Sequence, residues 1–215
     1  AVIVTTAVNI LRQLTFEPLV EDKNVKHEQR KSLQAIDDFD IATSTRIILQ
    51  TKRRFWEDAK YNIQGGFSKT NLPIGKIYYV KPDPEYVEST KQGIILVYTL
   101  KNDALIFGSL TKEQVKLEAI EQIAEFHPEI KEEDMIEKYF VHGWSNQPSY
   151  RGCVAFLKAN QFNNVRTLWE PMGNVHFAGD ALSFSAGWIQ GALESGLKAS
   201  YQVYARGKKR TTRKY

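Results

Sequence analysis

The residues with the clearest chemical potential lie in the segment NVHFAGDALSFSAGWIQGALESGLKAS, residues 174–200. A strand-like stretch leads into Gly179 and Asp180, and a run of small residues then leads to Gly187 and Trp188, where a helix is predicted to begin. A helix N-terminus presents unpaired N–H groups and the positive end of the helix dipole, which favour a group that is or becomes anionic. Asp180 adds an acceptor for hydroxyl groups, and Trp188 adds an aromatic wall. Reduced flavin, with its hydroxylated chain and anionic ring, fits this set; an ordinary strand–loop–helix unit is the alternative.

The composition narrows the class of protein. At 215 residues and 42% hydrophobic content, the chain can form one large domain or parts of two. A single cysteine, Cys153, excludes an internal disulfide and a cysteine-based zinc site, and no metal site is expected. No apolar run approaches the roughly 20 residues that span a bilayer. The net charge is only +4, and the basic ending RGKKRTTRKY is interpreted as a solvated terminus rather than a nucleic-acid or membrane contact.

Strands and helices alternate along the chain, which predicts a mixed α/β fold. The predicted strands are 2–5, 46–51, 76–80, 93–100, 137–142 and 175–178. The predicted helices are 27–36, one capped by Thr111 that stops near Pro128, and one from Trp188 to about Tyr204 that Gly207 closes. The last helix shows apolar or small residues at helical spacing: Ile189, Ala192, Leu193, Gly196, Leu197 and Ser200. Residues 65–73 and 80–93 are predicted to be exposed connections.

Four segments carry a resemblance to a known family. VHFAGDALSFSAGWIQGALESGLKA resembles the C-terminal flavin-binding signature of the flavin-containing amine oxidases, which include monoamine oxidases, polyamine oxidases and L-amino-acid oxidases. AVIVTTAVNILRQLTFEP, ATSTRIILQTKRRFWED and HGWSNQPSYRGCVAF resemble further segments of that family, in the family's order. The resemblance implies the C-terminal part of a two-domain FAD-dependent oxidoreductase fold, which completes the FAD-binding domain and includes a substrate domain with a mixed sheet. It assigns residues 1–20 to the end of the FAD-binding domain, 21–145 to the substrate domain, 146–207 to the return into the FAD-binding domain, and 208–215 to a basic tail.

The G-x-G-x-x-G turn that holds the pyrophosphate of FAD in this family does not occur in the sequence. The resemblance therefore implies a partner, an N-terminal chain of the same precursor that carries this turn. It also implies FAD as cofactor, an amino acid and dioxygen as small-molecule partners, and a dimer of such chain pairs. Neither nucleic acid nor membrane is expected as a partner, and a secreted or extracellular location is favoured.

The resemblance assigns roles to individual positions. Flavin contacts fall on Gly179, Asp180, Gly187, Trp188, Ile189 and Ala192, and on Trp144, which matches a tryptophan packed beside the flavin. Asp180 stands where the family usually has glutamate and is assigned to the ribityl–phosphate region. Arg46 replaces the family's lysine near flavin N5 and is, with Trp188, assigned to catalysis. Cys153 follows Trp144 at the spacing of the cysteine that monoamine oxidases link to flavin; non-covalent FAD is predicted, and the covalent link stays open.

Substrate contacts are assigned to Tyr78, Tyr98, Val154, Gly187 and Trp188. Tyr98 matches a tyrosine that binds the substrate α-carboxylate, together with an arginine of the absent chain. Tyr79 could replace Tyr78 after a one-residue slip.

The resemblance favours an L-amino-acid oxidase that transfers the substrate Cα hydrogen as hydride to flavin and yields a 2-oxo acid, ammonia and hydrogen peroxide. The second aromatic of the amine cage in monoamine oxidases is replaced by Ala186 and Gly187, which favours an amino acid as substrate. A polyamine or monoamine oxidase and a non-catalytic binding protein are the alternatives. His127, His142 and His176 are interpreted as structural or surface groups.

Overall fold

The computed structural model describes residues 1–16, 23–83 and 91–212. The strands are β1 Val2–Val4, β2 Ser44–Thr51, β3 Gly66–Lys69, β4 Lys76–Val80, β5 Gly93–Leu100, β6 Ile136–Gly143 and β7 Val175–Phe177. The helices are α1 Val8–Leu11, α2 Lys23–Asp37, α3 Lys101–Ser109, α4 Lys112–Ala124, α5 Phe162–Trp169 and α6 Ile189–Thr212. All six predicted strands form, and the mixed α/β class is confirmed.

The chain divides into two compact units. Unit 1 consists of Ala1–Ala42 and Pro148–Tyr215, and unit 2 consists of Thr43–Gln147. The boundaries of these units fall at 42/43 and 147/148, and the domain division at 20/21, 145/146 and 207/208 stays a prediction. The end of α2 belongs to unit 1 because Ile36 and Phe39 are buried with Val165 and Leu168 of α5 in its core.

Unit 2 is built on a five-stranded sheet of order β3-β4-β5-β2-β6, in which every pair is antiparallel, whereas a mixed sheet was predicted. Alternate residues of each strand point to opposite faces. One face is fully buried and packs against α4, through residues such as Ile47, Ile77, Val97, Val115 and Ile123. We call the other face the open face; its central residues are Arg46, Ile48, Tyr78, Leu96, Tyr98, Phe140 and His142, and none of them is fully buried.

Strand β3 lies inside the stretch 65–73, which was predicted to be an exposed connection; that prediction is wrong for Gly66–Lys69. This short strand pairs only with β4, with Phe67 opposite Tyr78. In the second predicted connection, 80–93, Val80 and Gly93 belong to β4 and β5, and residues 84–90 lie outside the described residues.

Unit 1 contains the parallel pair β1–β7, in which Ile3 lies opposite His176. Its core joins Val8, Leu11, Phe39, Val165 and Phe177. Residues 40–42 run antiparallel to residues 153–156, with the Ala42 N–H donating to the Val154 carbonyl at 2.9 Å.

The last helix, α6, is longer than predicted. It runs through Gly207 to Thr212, so the prediction that Gly207 closes it is wrong. Glycine inside a helix costs only about 1 kcal/mol relative to alanine, and the flanking Arg206 and Lys208 are good helix formers. The buried face of α6 is made of small residues, Gly191, Ser195 and Ala199. Its apolar residues lie on the exposed side.

Candidate functional site

In unit 1, a hydroxyl group of α6 holds the first residue of the loop between β7 and α6. Ser195 Oγ accepts a hydrogen bond from the Gly179 N–H at 2.9 Å and donates one to the Gly179 carbonyl at 2.7 Å. Gly179 has φ +153°, in the region that favours glycine, and a Cβ there would meet nothing within 4 Å. The backbone at Gly179 is therefore both held in place and open to a ligand.

Asp180 orders the far end of the same loop. Its Oδ2 accepts a hydrogen bond from the Gly187 N–H at 2.8 Å. Gly187 has φ +82°, which other residues rarely adopt. The second oxygen, Oδ1, accepts no hydrogen bond from the described residues and can receive one from a ligand hydroxyl. Asp180 thus joins the two glycines predicted to contact the cofactor.

The start of α6 is packed tightly on one side and open on the other. A Cβ at Gly191 would lie 2.2 Å from Ser183 Oγ and 2.3 Å from the Ser185 carbonyl oxygen, so the loop rests directly on the first helical turn. On the open side, Trp188 is 68% exposed. A hollow of about 450 Å³ adjoins it, lined by Phe184, Ser185, Ala186, Trp188 and Gln190.

Val154 reaches the same region of unit 1. A Cβ on Gly187 would lie 2.9 Å from Val154 Cγ2, so the residues at these two positions are in direct contact. Two predicted substrate contacts, distant in sequence, are therefore neighbours. Cys153 precedes Val154, is exposed, and donates its N–H to the Ala42 carbonyl at 2.9 Å. Non-covalent FAD stays the prediction, and a covalent link through Cys153 stays the open alternative.

In unit 2, three predicted site residues share the open face. Arg46 lies opposite Tyr98 on β5 and opposite His142 on β6. Its guanidinium carbon lies 4.7 Å from the centroid of the Tyr98 ring, within the range of a cation–π contact. Tyr78 is paired with Leu96, which is two residues before Tyr98 and on the same face.

The slip that would put Tyr79 in place of Tyr78 does not occur. Tyr79 points into the core, is 2% exposed, and its hydroxyl lies 2.6 Å from His127 Nε2 and 3.0 Å from Ser68 Oγ. Burial raises the pKa of Tyr79 above its ordinary value, and burial lowers the pKa of His127. These two groups form a neutral buried pair that belongs to the core.

His142 extends the open face toward Trp144. The His142 and Trp144 rings meet edge to face at 4.5 Å. His142 Nε2 is shielded from solvent and has no hydrogen-bond partner among the described residues. His142 was interpreted as a structural or surface group; the register instead puts it beside Arg46. The position of His142 next to Arg46 follows from the pairing of β2 with β6, which the sequence alone does not specify.

Of the three histidines interpreted above, the other two lie in the cores. His127 belongs to the buried pair in unit 2, and His176 is 1% exposed with Nδ1 3.2 Å from Gln202 Oε1 in unit 1. Within the described ranges, no group of three His, Cys, Asp or Glu side chains could hold a metal ion. Likewise, none of the helices in these ranges has the length and apolar character needed to cross a membrane.

A glycine-lined loop before a long helix and an antiparallel sheet with an aromatic open face are the features expected of a flavin-dependent amine-oxidising protein. Residues 1–204 match the family described as flavin containing amine oxidoreductase, and the chain belongs to that family. Membership implies a flavin cofactor. The loop fits it, since the open glycine at 179, the free Asp180 oxygen and the hollow at the N-terminus of α6 offer room and matching donors and acceptors.

Two curated relatives are similar to almost the whole of this chain. The chain is 32% identical over 206 residues to the putative L-amino-acid oxidase YobN of Bacillus subtilis (strain 168), covering 94% of this chain and 40% of the relative. It is 29% identical over 204 residues to an L-amino-acid oxidase of Siganus canaliculatus, covering 94% of this chain and 36% of that protein. The chain therefore spans well under half the length of these relatives.

Solved structures share the fold. Cyclohexylamine oxidase from Brevibacterium oxydans IH-35A superimposes with a TM-score of 0.74 over 96% of this chain and 43% of that one, at 16% identity. Wild-type putrescine oxidase bound to putrescine gives 0.73 over 94% and 42%, at 15% identity. The predicted fold, the C-terminal part of a FAD-dependent amine oxidase, is confirmed.

Proposed function

We propose that this chain is the C-terminal part of an FAD-dependent L-amino-acid oxidase. The overall reaction consumes an L-amino acid, water and dioxygen, and yields a 2-oxo acid, ammonia and hydrogen peroxide. The observation that carries the proposal is Tyr98, a phenol on the open face of the sheet beside a cation. A simple amine offers nothing for this pair to bind, whereas an amino acid offers a carboxylate. The curated relatives named above are called L-amino-acid oxidases, which supports this choice.

Each residue has a physical task in this proposal. When bound, flavin accepts the hydride from the substrate Cα. The Tyr98 hydroxyl donates to the substrate carboxylate, a bond to a charged group that contributes about 1.5–3 kcal/mol. The N-terminus of α6 stabilises negative charge near it by its dipole and N–H groups. Trp188 and Val154 supply apolar walls, and the lack of a side chain on Gly187 allows Val154 to approach the loop beside Trp188.

We further propose that a polypeptide of the same precursor, bearing the dinucleotide-binding turn, covers the exposed side of α6. Five apolar or aromatic residues on that side, between 57% and 77% exposed, support this: Ile189, Leu193, Leu197, Tyr201 and Tyr204. A continuous apolar stripe of this kind marks an interaction surface. The two-stranded parallel pair β1–β7 supports it as well, since parallel sheets normally have more strands and covered faces. A dimer of such assemblies and an extracellular location remain predictions.

The test uses the full-length protein. Purified protein should show a flavin absorbance band and release peroxide and 2-oxo acid from a panel of L-amino acids, with little peroxide from the corresponding decarboxylated amines. The reverse preference would establish the polyamine or monoamine oxidase alternative. Absence of flavin after purification in excess FAD would favour the non-catalytic binding protein. Residues 1–215 expressed alone should not retain flavin, which tests the covering polypeptide separately.

A further inference from the structure

Arg46 occupies the centre of the open face. It is exposed on β2, flanked by Tyr98 on one neighbouring strand and His142 on the other. Among the described residues, Arg46 forms neither a hydrogen bond nor an ion pair, and its guanidinium contacts the Tyr98 ring. The guanidinium group has five N–H donors, and on this face they are available to a ligand.

The surroundings of Arg46 favour an anion. The residues that the register puts on the same face as Arg46 include three lysines, Lys69, Lys76 and Lys138, and no carboxylate. Glu137 lies at the margin, where it accepts a hydrogen bond from Gln50 at 3.2 Å. Gln50 is four residues from Arg46 along β2, which is about 13 Å at the rise of a strand. The charge of Arg46 is therefore not neutralised by the described part of the sheet.

The row beside Arg46 is apolar. Tyr78, Leu96, Ile48 and Phe140 lie side by side across four strands, two residues from the row that contains Arg46. The side chains of Leu96, Ile48 and Phe140 offer no acceptor to the guanidinium, so they do not compete with a ligand. The guanidinium lies over the Tyr98 ring at 4.7 Å from its centroid, and its planar fork suits a carboxylate, which it can bind through two parallel bonds.

We propose that Arg46 and Tyr98 form the carboxylate site of the substrate, so that this chain supplies the cation that the family resemblance assigns to the absent polypeptide. This inference rests on the proposed function, because it requires a substrate with a carboxylate. Arg46 is a specificity-determining residue in this view. It replaces a lysine of the family, and only arginine offers the bidentate geometry.

The experiment compares four variants of the full-length holoprotein: Arg46→Met, Arg46→Lys, Tyr98→Phe and, as a control, Lys76→Met. Lys76 is another cation on the open face, stacked on Phe67 at 4.9 Å, and its loss removes the same charge from β4. Two quantities are measured: KM for an L-amino acid, and the Kd of benzoate, a simple carboxylate probe, by calorimetry. The thermal unfolding midpoint shows which variants are folded.

Arg46→Met should raise both KM and the benzoate Kd by about 10- to 100-fold, and Tyr98→Phe should raise them in the same direction. Arg46→Lys should recover part of the loss, and Lys76→Met should change neither value by more than about threefold. A folded Arg46→Met protein whose KM and Kd stay within threefold of wild type, with only the reaction with dioxygen slowed, would overturn the inference. Wild-type protein that oxidises amines but no amino acid would instead refute the proposed function, whatever the variants show.

Discussion

Adjacent tyrosines on β4 provide a paired test of which face of the sheet is functional. Tyr79→Phe removes a hydroxyl that lies 2.6 Å from His127 Nε2 and 3.0 Å from Ser68 Oγ. His127 is 2% exposed, and its other nitrogen, Nδ1, already has no partner among the described residues. Leaving a buried polar group unsatisfied costs about 1–3 kcal/mol, so Tyr79→Phe should destabilise the protein by that amount.

Tyr78→Phe makes the identical chemical change one residue earlier, on the open face. Its ring contact with Phe67, at 5.5 Å between centroids, is retained in the variant. We expect a change in stability within about 0.5 kcal/mol. If the open face binds substrate, Tyr78→Phe should raise KM while Tyr79→Phe leaves it unchanged.

Two assays are used on the full-length holoprotein at pH 8: urea unfolding gives its stability, and steady-state peroxide release from folded samples gives KM. Equal losses of stability in the two variants, or a raised KM for Tyr79→Phe with normal stability, would show that the assignment of the two faces is wrong.

Three further predictions follow from the packing. Because burial lowers the pKa of His127, the unfolded chain binds a proton near pH 6.5 while the folded protein does not. The free energy of unfolding should therefore decrease as the pH drops below about 6.5. Measured between pH 5 and 8, this decrease should be smaller in His127→Gln. Gly191→Ala should displace residues 183–185 and weaken flavin retention, measured by equilibrium dialysis. Gly207→Ala should retain flavin like wild type, because its Cβ meets nothing within 4 Å. Equal flavin retention in the two variants would contradict the tight contact at Gly191. Leu197→Asp on the exposed stripe should reduce co-purification of residues 1–215 with the separately expressed N-terminal part. Glu194→Gln on the same helix should leave co-purification unchanged. If Leu197→Asp co-purifies as well as wild type, the stripe is not the covered surface.

Much of the fold was predictable because local patterns and packing agree. Strands β4 and β5 have the predicted bounds, because buried and partly exposed residues alternate along their whole length. Thr111 and Gln114 form the predicted capping box, with the Thr111 N–H donating to Gln114 Oε1 at 3.0 Å. By contrast, β3 contains Gly66, Ser68 and Lys69 and becomes a strand only because β4 pairs with it. Sheet formation of this kind depends on a partner more than on intrinsic propensity.

The sequence analysis did not predict helices α1, α3 and α5, and it ended α6 too early; in α3 and α6 the reason lies in residues that disfavour a helix. Helix α3 begins with Lys101, Asn102 and Asp103, residues typical of turns, and contains Gly108. Helix α6 continues past Gly207, since tertiary context overrides a weak local preference.

Part of the candidate site was predictable from residue types, and the rest depends on packing and strand register. The loop from Gly179 to Trp188 was recognisable from its residue types, because small residues before a helix are unusual unless a backbone must be approached closely. Ser195 and Gly191 were not recognised, since their roles depend on which side of α6 meets the loop. The neighbours of Arg46 depend on strand register, which no local pattern specifies.

The order of the chain has a consequence for its synthesis. Unit 2 is continuous, so all of its strand pairs can form on the ribosome once residue 147 has emerged. Strand β1 cannot form its pair with β7 until β7 follows, more than 170 residues later. The cost of closing so long a loop makes this pairing a late event, during which the apolar β1 segment needs protection from aggregation. A newly made molecule thus completes its antiparallel sheet first and its parallel pair last.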